Sequence, residues 1–161
     1  MLLLLLKAIT EALSHADVQV FLHATEALAQ GLRDFVDTLR TQCFAVSWSE
    51  DALIVGAIFT APNTARVFNQ YKSYSMEQQG VLRLLKGALF AEFYRDADTL
   101  AHMLGQGSFA DVLASPRERP AAYKIFLEQL LSATPSNHVD YETVVAAAAN
   151  MATVAADIEK V

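Results

Sequence analysis

Apolar residues recur at helical spacing near the start of the chain. From residue 20 to residue 39 they fall on one face of a helix, and polar and charged residues fall on the opposite face. The apolar positions are Phe21, Leu28, Leu32, Phe35, Val36 and Leu39. Ser14 and Asp17 precede this segment and have side chains that can accept hydrogen bonds from the free N–H groups of a helix start. The pattern predicts one long amphipathic helix.

The segment from residue 43 to residue 59 has no clear period. Phe44 and Trp48 alternate with smaller or polar residues, as in a short strand, but a single strand would have no pairing partner. A loop with these two aromatic side chains buried is therefore the preferred interpretation. Ser49 is suitably placed to cap a short helix over residues 51–59.

A new helix is predicted after this short one. Pro62 prevents the short helix from continuing, and either Asn63 or Thr64 can start the next. Its apolar positions are Val67, Phe68, Tyr71 and Tyr74. The helical pattern then continues over residues 82–104, with Gly87 as the point where it can be interrupted.

Two amphipathic segments make up the last quarter of the chain. Pro116 and Pro120 bracket the start of the first, whose apolar positions are Tyr123, Phe126, Leu127, Leu130 and Leu131. After a polar break, Asp140 is placed as the N-cap of the last helix, where its carboxylate would accept hydrogen bonds from free N–H groups. The apolar positions of that helix are Tyr141, Val144, Val145, Ala148, Met151, Ala152, Ala155 and Ile158. Together these patterns predict an all-α domain.

Composition narrows the class of protein. The chain has 161 residues, enough for one domain with a core, and 53% of them are hydrophobic, which excludes a disordered chain. The formal net charge of −6 argues against nucleic acid as a partner, since phosphate binding needs a basic surface. Cys43 is the only cysteine, so no intramolecular disulfide can form, and a reduced, cytoplasmic setting fits best. The leucines at residues 2–6 are too few for a secretory leader or a membrane span, so no membrane insertion is expected.

Residues that carry enzymatic chemistry are not grouped in the sequence. The histidines are scattered without the spacing of a metal site, and no nucleophile, dinucleotide or calcium-loop motif occurs. The segment "GQGS" at residues 105–108 lacks the spacing of a phosphate-binding loop and predicts a turn. We therefore expect no metal, no cofactor and no bond-making catalysis.

Three segments share a recognisable pattern. They are "VFLHATEALAQGLRDFVDTL" (20–39), "IVGAIFTAPNTARVFNQYKSYS" (54–75) and "VLASPRERPAAYKIFLEQLLSATPSNHVDYETVVAAAANMATVAADIE" (112–159). In this order they resemble the Dbl-homology (DH) domain, the catalytic module of Rho-family guanine nucleotide exchange factors. The third segment resembles that domain's third conserved region at Pro116, Arg119, Tyr123, Leu127, Leu130, Thr134, Pro135, His138, Asp140, Tyr141, Ala148 and Ile158.

The resemblance spans residues 13–160 and implies an elongated all-α bundle of the DH type. It implies a single DH-like domain over residues 1–161, with most of the first helix missing and no pleckstrin-homology domain following. The implied partner is a Rho-family small GTPase, whose switch regions such a module grips so that Mg²⁺ and nucleotide contacts are disturbed and GDP leaves. An incomplete first helix would also expose apolar surface and favour self-association.

The resemblance fails at positions on which exchange in the family depends. The family's glutamate in the first helix has no equivalent, because Glu11 lies too close to the next helix. The basic residue before Tyr123 is replaced by Ala122, and the family's asparagine near the chain end is replaced by Glu159, while Glu118 replaces a glutamine. Ala122 cannot make the charge-assisted hydrogen bond, worth about 1.5–3 kcal/mol, that a lysine or arginine would make. Glu159 lacks the amide donors of asparagine.

No residue is therefore assignable as catalytic, but a GTPase-binding face is predicted. Its residues are Arg117, Glu118, Arg119, Ala122, Tyr123, Asp157, Glu159 and Lys160. Three interpretations stay open: a divergent or truncated exchange factor, a DH-like interaction or scaffold module that has lost exchange activity, and a helical protein whose similarity is accidental.

Overall fold

The computed structural model describes residues 14–45 and 54–160. Of these residues, 87% are helical and none lies in a strand. The elements in chain order are α1 (Ala16–Ala45), α2 (Val55–Thr60), α3 (Pro62–Leu85), a 3₁₀ turn (Ala88–Phe90), α4 (Ala91–Met103), α5 (Phe109–Ala133) and α6 (Tyr141–Glu159). The prediction of an all-α fold is confirmed.

The chain forms two compact units. Among the described residues, unit 1 comprises residues 14–26 and 73–118, and unit 2 comprises residues 27–45, 54–72 and 119–160. The buried apolar side chains of unit 1 include Val18, Phe21, Tyr74, Val81, Leu85, Phe90 and Ala101. Those of unit 2 include Leu28, Phe35, Ile58, Phe59, Val67, Phe68, Tyr71, Leu127, Val144, Ala147, Met151, Ala155 and Ile158. Each unit therefore has its own core, and the single domain expected from the sequence stays a prediction.

Helix α1 confirms the first amphipathic segment and extends it at both ends. Asp17 lies in the first turn, where its negative charge is favoured by the helix dipole. Phe35 is buried as predicted, but the adjacent Val36 is 40% exposed, because neighbouring residues on a helix point about 100° apart. Helix α1 also continues through Phe44, which is therefore not in a loop, whereas Trp48 and Ser49 fall outside the described residues.

The break between α2 and α3 lies one residue earlier than predicted. Ala61 is extended, with φ −61° and ψ 144°, and Pro62 is the first residue of α3. A residue before proline favours this extended conformation, and proline suits the first helical position because its missing N–H would be unpaired there in any case. The four aromatic and aliphatic residues predicted to line α3 are all buried.

Glycines end the helical pattern at the two predicted points. Gly87 precedes the 3₁₀ turn that separates α3 from α4. In the turn before α5, Gly105 and Gly107 have φ values of 69° and 79°. Residues other than glycine rarely adopt such positive backbone angles. Both predictions, the interruption and the turn, are confirmed.

The two prolines of α5 do not mark its start, contrary to the prediction. The helix begins at Phe109 and runs through both Pro116 and Pro120. Proline at 116 cannot donate to the carbonyl of Val112, and the hydroxyl of Ser115 donates to that carbonyl instead, at 3.3 Å. The ring of Pro120 is fully buried. A replacement hydrogen bond and apolar burial therefore offset the cost of the two prolines.

The last two helices bury narrower stripes than predicted. In α5 only Leu127 of the predicted apolar positions is fully buried, and Phe126 is 45% exposed. In α6 Val145 is 37% exposed, while Ala147 is buried in its place. The neighbouring elements therefore cover only part of the apolar face of each helix, and Phe126 and Val145 lie at the edge of the covered part.

Candidate functional site

The loop before α6 is held by a buried aspartate. Asp140 is only 2% exposed and occupies the N-cap position of α6. Its carboxylate makes no hydrogen bond to the N–H groups of α6, so the predicted capping role is wrong. Instead, Oδ2 accepts the N–H of Gly56 at 2.7 Å, and Oδ1 accepts the hydroxyl of Thr143. Gly56 lies in the first turn of α2, so Asp140 satisfies the start of a helix 84 residues away in sequence.

Gly56 permits the close contact between α2 and α6. A Cβ atom at this position would lie 2.4 Å from the backbone nitrogen of Val144 and 2.5 Å from the carbonyl carbon of Thr143. Backbone atoms cannot move away as a flexible side chain can, so only glycine fits. Gly56 belongs to the second segment quoted above and Asp140 to the third, and their contact is one physical link between these two motifs.

His138 has a structural role in the same loop. Its backbone N–H donates to the carbonyl of Pro135 at 2.9 Å, and its own carbonyl accepts the N–H of Tyr141 at 3.0 Å. Its ring nitrogen Nδ1 accepts the N–H of Asp140 at 3.1 Å. The histidine therefore shapes the turn that places Asp140.

Tyr123 of α5 is anchored in an aromatic cluster of unit 2. Its ring meets those of Phe35 and Phe59 edge to face, with centroid distances of 6.1 and 6.0 Å. Phe59 also lies 6.1 Å from the ring of Phe126. Edge-to-face pairs of this kind fix ring orientation in addition to the area they bury. Tyr123 is half-buried.

Two consecutive residues of α3 reach α5 and α6. Tyr71 is completely buried, and this burial raises the pKa of its hydroxyl far above the ordinary value. The hydroxyl of Tyr123 raises that pKa further, whereas the positive charge of Arg119 opposes the rise. The next residue, Lys72, bonds through Nζ to Oδ2 of Asp157 in α6 at 3.1 Å.

Asp157 binds two lysines near the C-terminal end of α6. Besides Lys72, Nζ of Lys160 lies 3.4 Å from Oδ1 of Asp157. The hydrogen bond from Lys72, and then that from Lys160, lowers the pKa of the Asp157 carboxyl. The carboxyl therefore stays ionised at neutral pH, and the two lysines share one negative partner.

The remaining residues of the predicted face are at the surface. In unit 2, Arg119 and Ala122 on α5 and Glu159 on α6 are exposed. Arg117 and Glu118 belong to unit 1, where Arg117 is half-buried and Glu118 is exposed.

Sequence reasoning missed Tyr71 as a neighbour of Tyr123, and it missed Lys72 altogether. Tyr71 was predicted only as part of an apolar stripe, and Lys72 is an ordinary polar position on a helix. Their importance comes from which helices pack against α3, which no local pattern reports.

Neither a metal-binding cluster nor a membrane-spanning helix is found in the part of the chain that the structure describes. Within residues 14–45 and 54–160, no group of three or more His, Cys, Asp or Glu side chains could hold a metal ion. In the same part of the chain, no helix has the length and hydrophobicity needed to cross a membrane.

Comparison with known families identifies the class of protein. A family model described as the RhoGEF domain matches residues 2–159 of the chain. The chain therefore belongs to the RhoGEF, or Dbl-homology, domain family, and its all-α bundle agrees with that membership. A search of curated proteins and a search of solved structures gave no significant match. At the level of the family, membership implies a function of the exchange-factor type with a small GTPase as partner.

Proposed function

We propose that the chain binds a Rho-family small GTPase through a surface of unit 2 and promotes GDP release. The proposed surface combines residues of α5 and of the end of α6, namely Arg119, Ala122, Tyr123, Asp157, Glu159 and Lys160. The observation that carries the proposal is the family match over residues 2–159. The contacts of Tyr71 and Lys72 support it, because these neighbours on α3 tie the α5 part of the surface to the α6 part.

Exchange requires the module to bind the nucleotide-free GTPase more tightly than the loaded form. A surface that binds both forms equally would shift nothing. The switch regions of a GTPase are suitable targets because their order depends on nucleotide and Mg²⁺ contacts. The rigid aromatic anchoring of Tyr123 is useful here, because a partner then meets a side chain whose orientation is already fixed.

A second candidate function is GTPase binding without exchange. Two observations favour it: Ala122 presents only a methyl group at the surface, and Glu159 is exposed without an amide donor. Neither side chain can make the contact that the family's basic residue or asparagine would make.

The two candidates are separated by measuring release of a fluorescent GDP analogue from a panel of Rho-family GTPases, alongside capture of the nucleotide-free forms. Faster release for at least one GTPase is the expected result. Capture without faster release would support binding alone. The absence of both would overturn the proposal.

Restoring the family's residues sharpens this test. We expect Ala122→Lys combined with Glu159→Asn to accelerate GDP release at least about tenfold over the unmodified chain, since one charge-assisted hydrogen bond is worth about 1.5–3 kcal/mol. Ala146→Lys is a matched control, because Ala146 is an exposed alanine on α6 outside the proposed surface. Equal effects of the control and the double variant would show that added charge alone is responsible.

A further inference from the structure

Lys72 brings a positive charge to the end of α6 from another helix. Its Nζ lies 3.1 Å from Oδ2 of Asp157, and Lys160 approaches the other carboxylate oxygen at 3.4 Å. Two positive charges therefore surround one negative charge.

The three side chains of this cluster are accessible. The exposed fractions of the side chains are 48% for Lys72, 37% for Asp157 and 74% for Lys160. An ammonium group has three donors, so Lys72 can keep one bond to Asp157 and offer others to a partner. Ion pairs this exposed are weak, because water solvates both charges well. Exchanging Asp157 for another carboxylate therefore costs little.

The cluster adds a cation from α3 to a surface to which α5 contributes one, Arg119. Position 122 on α5 carries alanine, and Lys124 of that helix is paired with Glu128 at 3.8 Å. Tyr71, the neighbour of Lys72 on α3, interacts with Tyr123, which follows Ala122. Lys72 thus belongs to the same assembly of side chains as the proposed surface, although it comes from a different segment of the sequence.

We propose that Lys72 is a specificity-determining residue of the GTPase-binding surface, where it and Lys160 bind an acidic side chain of the GTPase in competition with Asp157. The inference rests on the proposed function. Within it, Asp157 acts as an internal competitor: it holds both lysines in place and weakens their attraction to the partner's carboxylate. GTPases with an acidic residue at the contact are preferred over those without one.

Opposite effects of two variants test this role. Affinity for a nucleotide-free GTPase captured by the unmodified chain would be measured for Lys72→Ala and Asp157→Asn. Lys72→Ala is expected to weaken binding about threefold, because it removes an exposed charge that attracts the partner. Asp157→Asn is expected to strengthen binding about threefold, because it removes the charge that competes with the partner. Binding by Lys72→Ala should also depend less on salt between about 50 and 300 mM, because ions screen exposed charges.

A similar ion pair in unit 1 provides matched controls. Arg95 and Asp96 are exposed and lie 3.6 Å apart on α4. Arg95→Ala and Asp96→Asn change the net charge as the test variants do, and both should leave affinity within about 1.5-fold, since exposed pairs outside an interface contribute little. Thermal unfolding of all four variants, measured in parallel, would show whether any affinity change follows from altered folding.

The outcomes separate this inference from the function on which it rests. Weaker binding in both Lys72→Ala and Asp157→Asn would mean that the ion pair only stabilises the position of α6. That result would overturn the specificity role of Lys72 but not the proposal of GTPase binding. Unchanged affinity in both would overturn it equally. If the unmodified chain captures no nucleotide-free GTPase, the proposed function fails first, and the inference with it.

Discussion

Two aspartates stand at opposite ends of α6 and have contrasting surroundings. Asp140 is almost fully buried, and its carboxylate bonds to the backbone of α2 and to Thr143. Asp157 is accessible and bonds to two flexible lysines. The buried carboxylate has partners that cannot be exchanged for water without cost, whereas the exposed one has partners that water can replace. One end of the helix is therefore held by buried hydrogen bonds, and the other by ion pairs that solvent can replace.

Among the variants that test this contrast, Gly56→Ala is expected to have the largest effect on the free energy of unfolding. The added Cβ would lie 2.4 Å from the nitrogen of Val144, so α2 and α6 must separate, and the bond to Asp140 must lengthen. We expect a loss of about 3 kcal/mol in the free energy of unfolding, measured by urea denaturation. Gly80→Ala is the matched control, because nothing lies within 4 Å of its Cβ position in α3. It should gain about 0.5–1 kcal/mol, and a loss as large as that of Gly56→Ala would refute the close-contact argument.

Removing the buried carboxylate is expected to have the next largest effect. Asp140→Ala leaves the buried N–H of Gly56 without its acceptor and should cost about 2 kcal/mol in the free energy of unfolding. Asp140→Asn keeps one oxygen for that N–H and should cost about half as much. Asp37→Ala, which removes an exposed carboxylate of α1, serves as the control. Equal stability of Asp140→Ala and Asp37→Ala in urea would contradict the structural role.

Thr143 tests the second partner of the buried aspartate. Its hydroxyl donates to Oδ1 and, at 2.8 Å, to the backbone carbonyl of Asp140. Thr143→Val keeps the side-chain shape but removes the donor, and should lower the free energy of unfolding by about 1 kcal/mol. Thr153→Val provides a control, because its exposed hydroxyl bonds only to Ala149 within α6. Equal losses for Thr143→Val and the control would show that the hydroxyl at 143 contributes no more than an exposed one.

The smallest effect on stability is expected at the exposed aspartate. Asp157→Asn should change urea denaturation at pH 7 less than Thr143→Val does, because its ion pairs are solvated. The contribution of the Asp157 ion pairs to the free energy of unfolding should decrease as the pH falls. Lys72 holds the folded-state pKa of Asp157 below the ordinary carboxyl value of about 3.9. The stabilisation is therefore complete above that value and is lost as the pH falls through the lower, folded-state pKa.

The unmodified chain and Asp157→Asn should consequently differ most near neutral pH, and the difference should vanish as the pH falls below the folded-state pKa of Asp157. Urea denaturation of both across this range measures the difference. A gap that widens as the pH falls would mean that the pKa of Asp157 is raised rather than lowered.

Much of the candidate surface was predictable because it lies on helices with strong local patterns. Tyr123 and Asp157 were both assigned to helices from apolar spacing and from the family resemblance, and both lie there. The prolines of α5 were misjudged because their cost is met by Ser115 and by burial of Pro120, and neither is visible as a local signal. Phe126 was expected in the core because apolar spacing identifies the apolar face of a helix. It does not show how much of that face a neighbouring helix covers, and Phe126 is 45% exposed.

By itself, the sequence determined the helices, the breaks at Gly87 and Gly105, and the family, because periodicity and glycine act over a few residues and the motifs keep their order. Tertiary structure alone decided which partner each polar side chain takes. Asp140 precedes α6 and yet satisfies α2, and Lys72 sits on α3 and yet pairs with α6. Hydrogen bonds and ion pairs depend on distances of about 3 Å, and packing brings to that distance residues that are more than 80 positions apart in the chain.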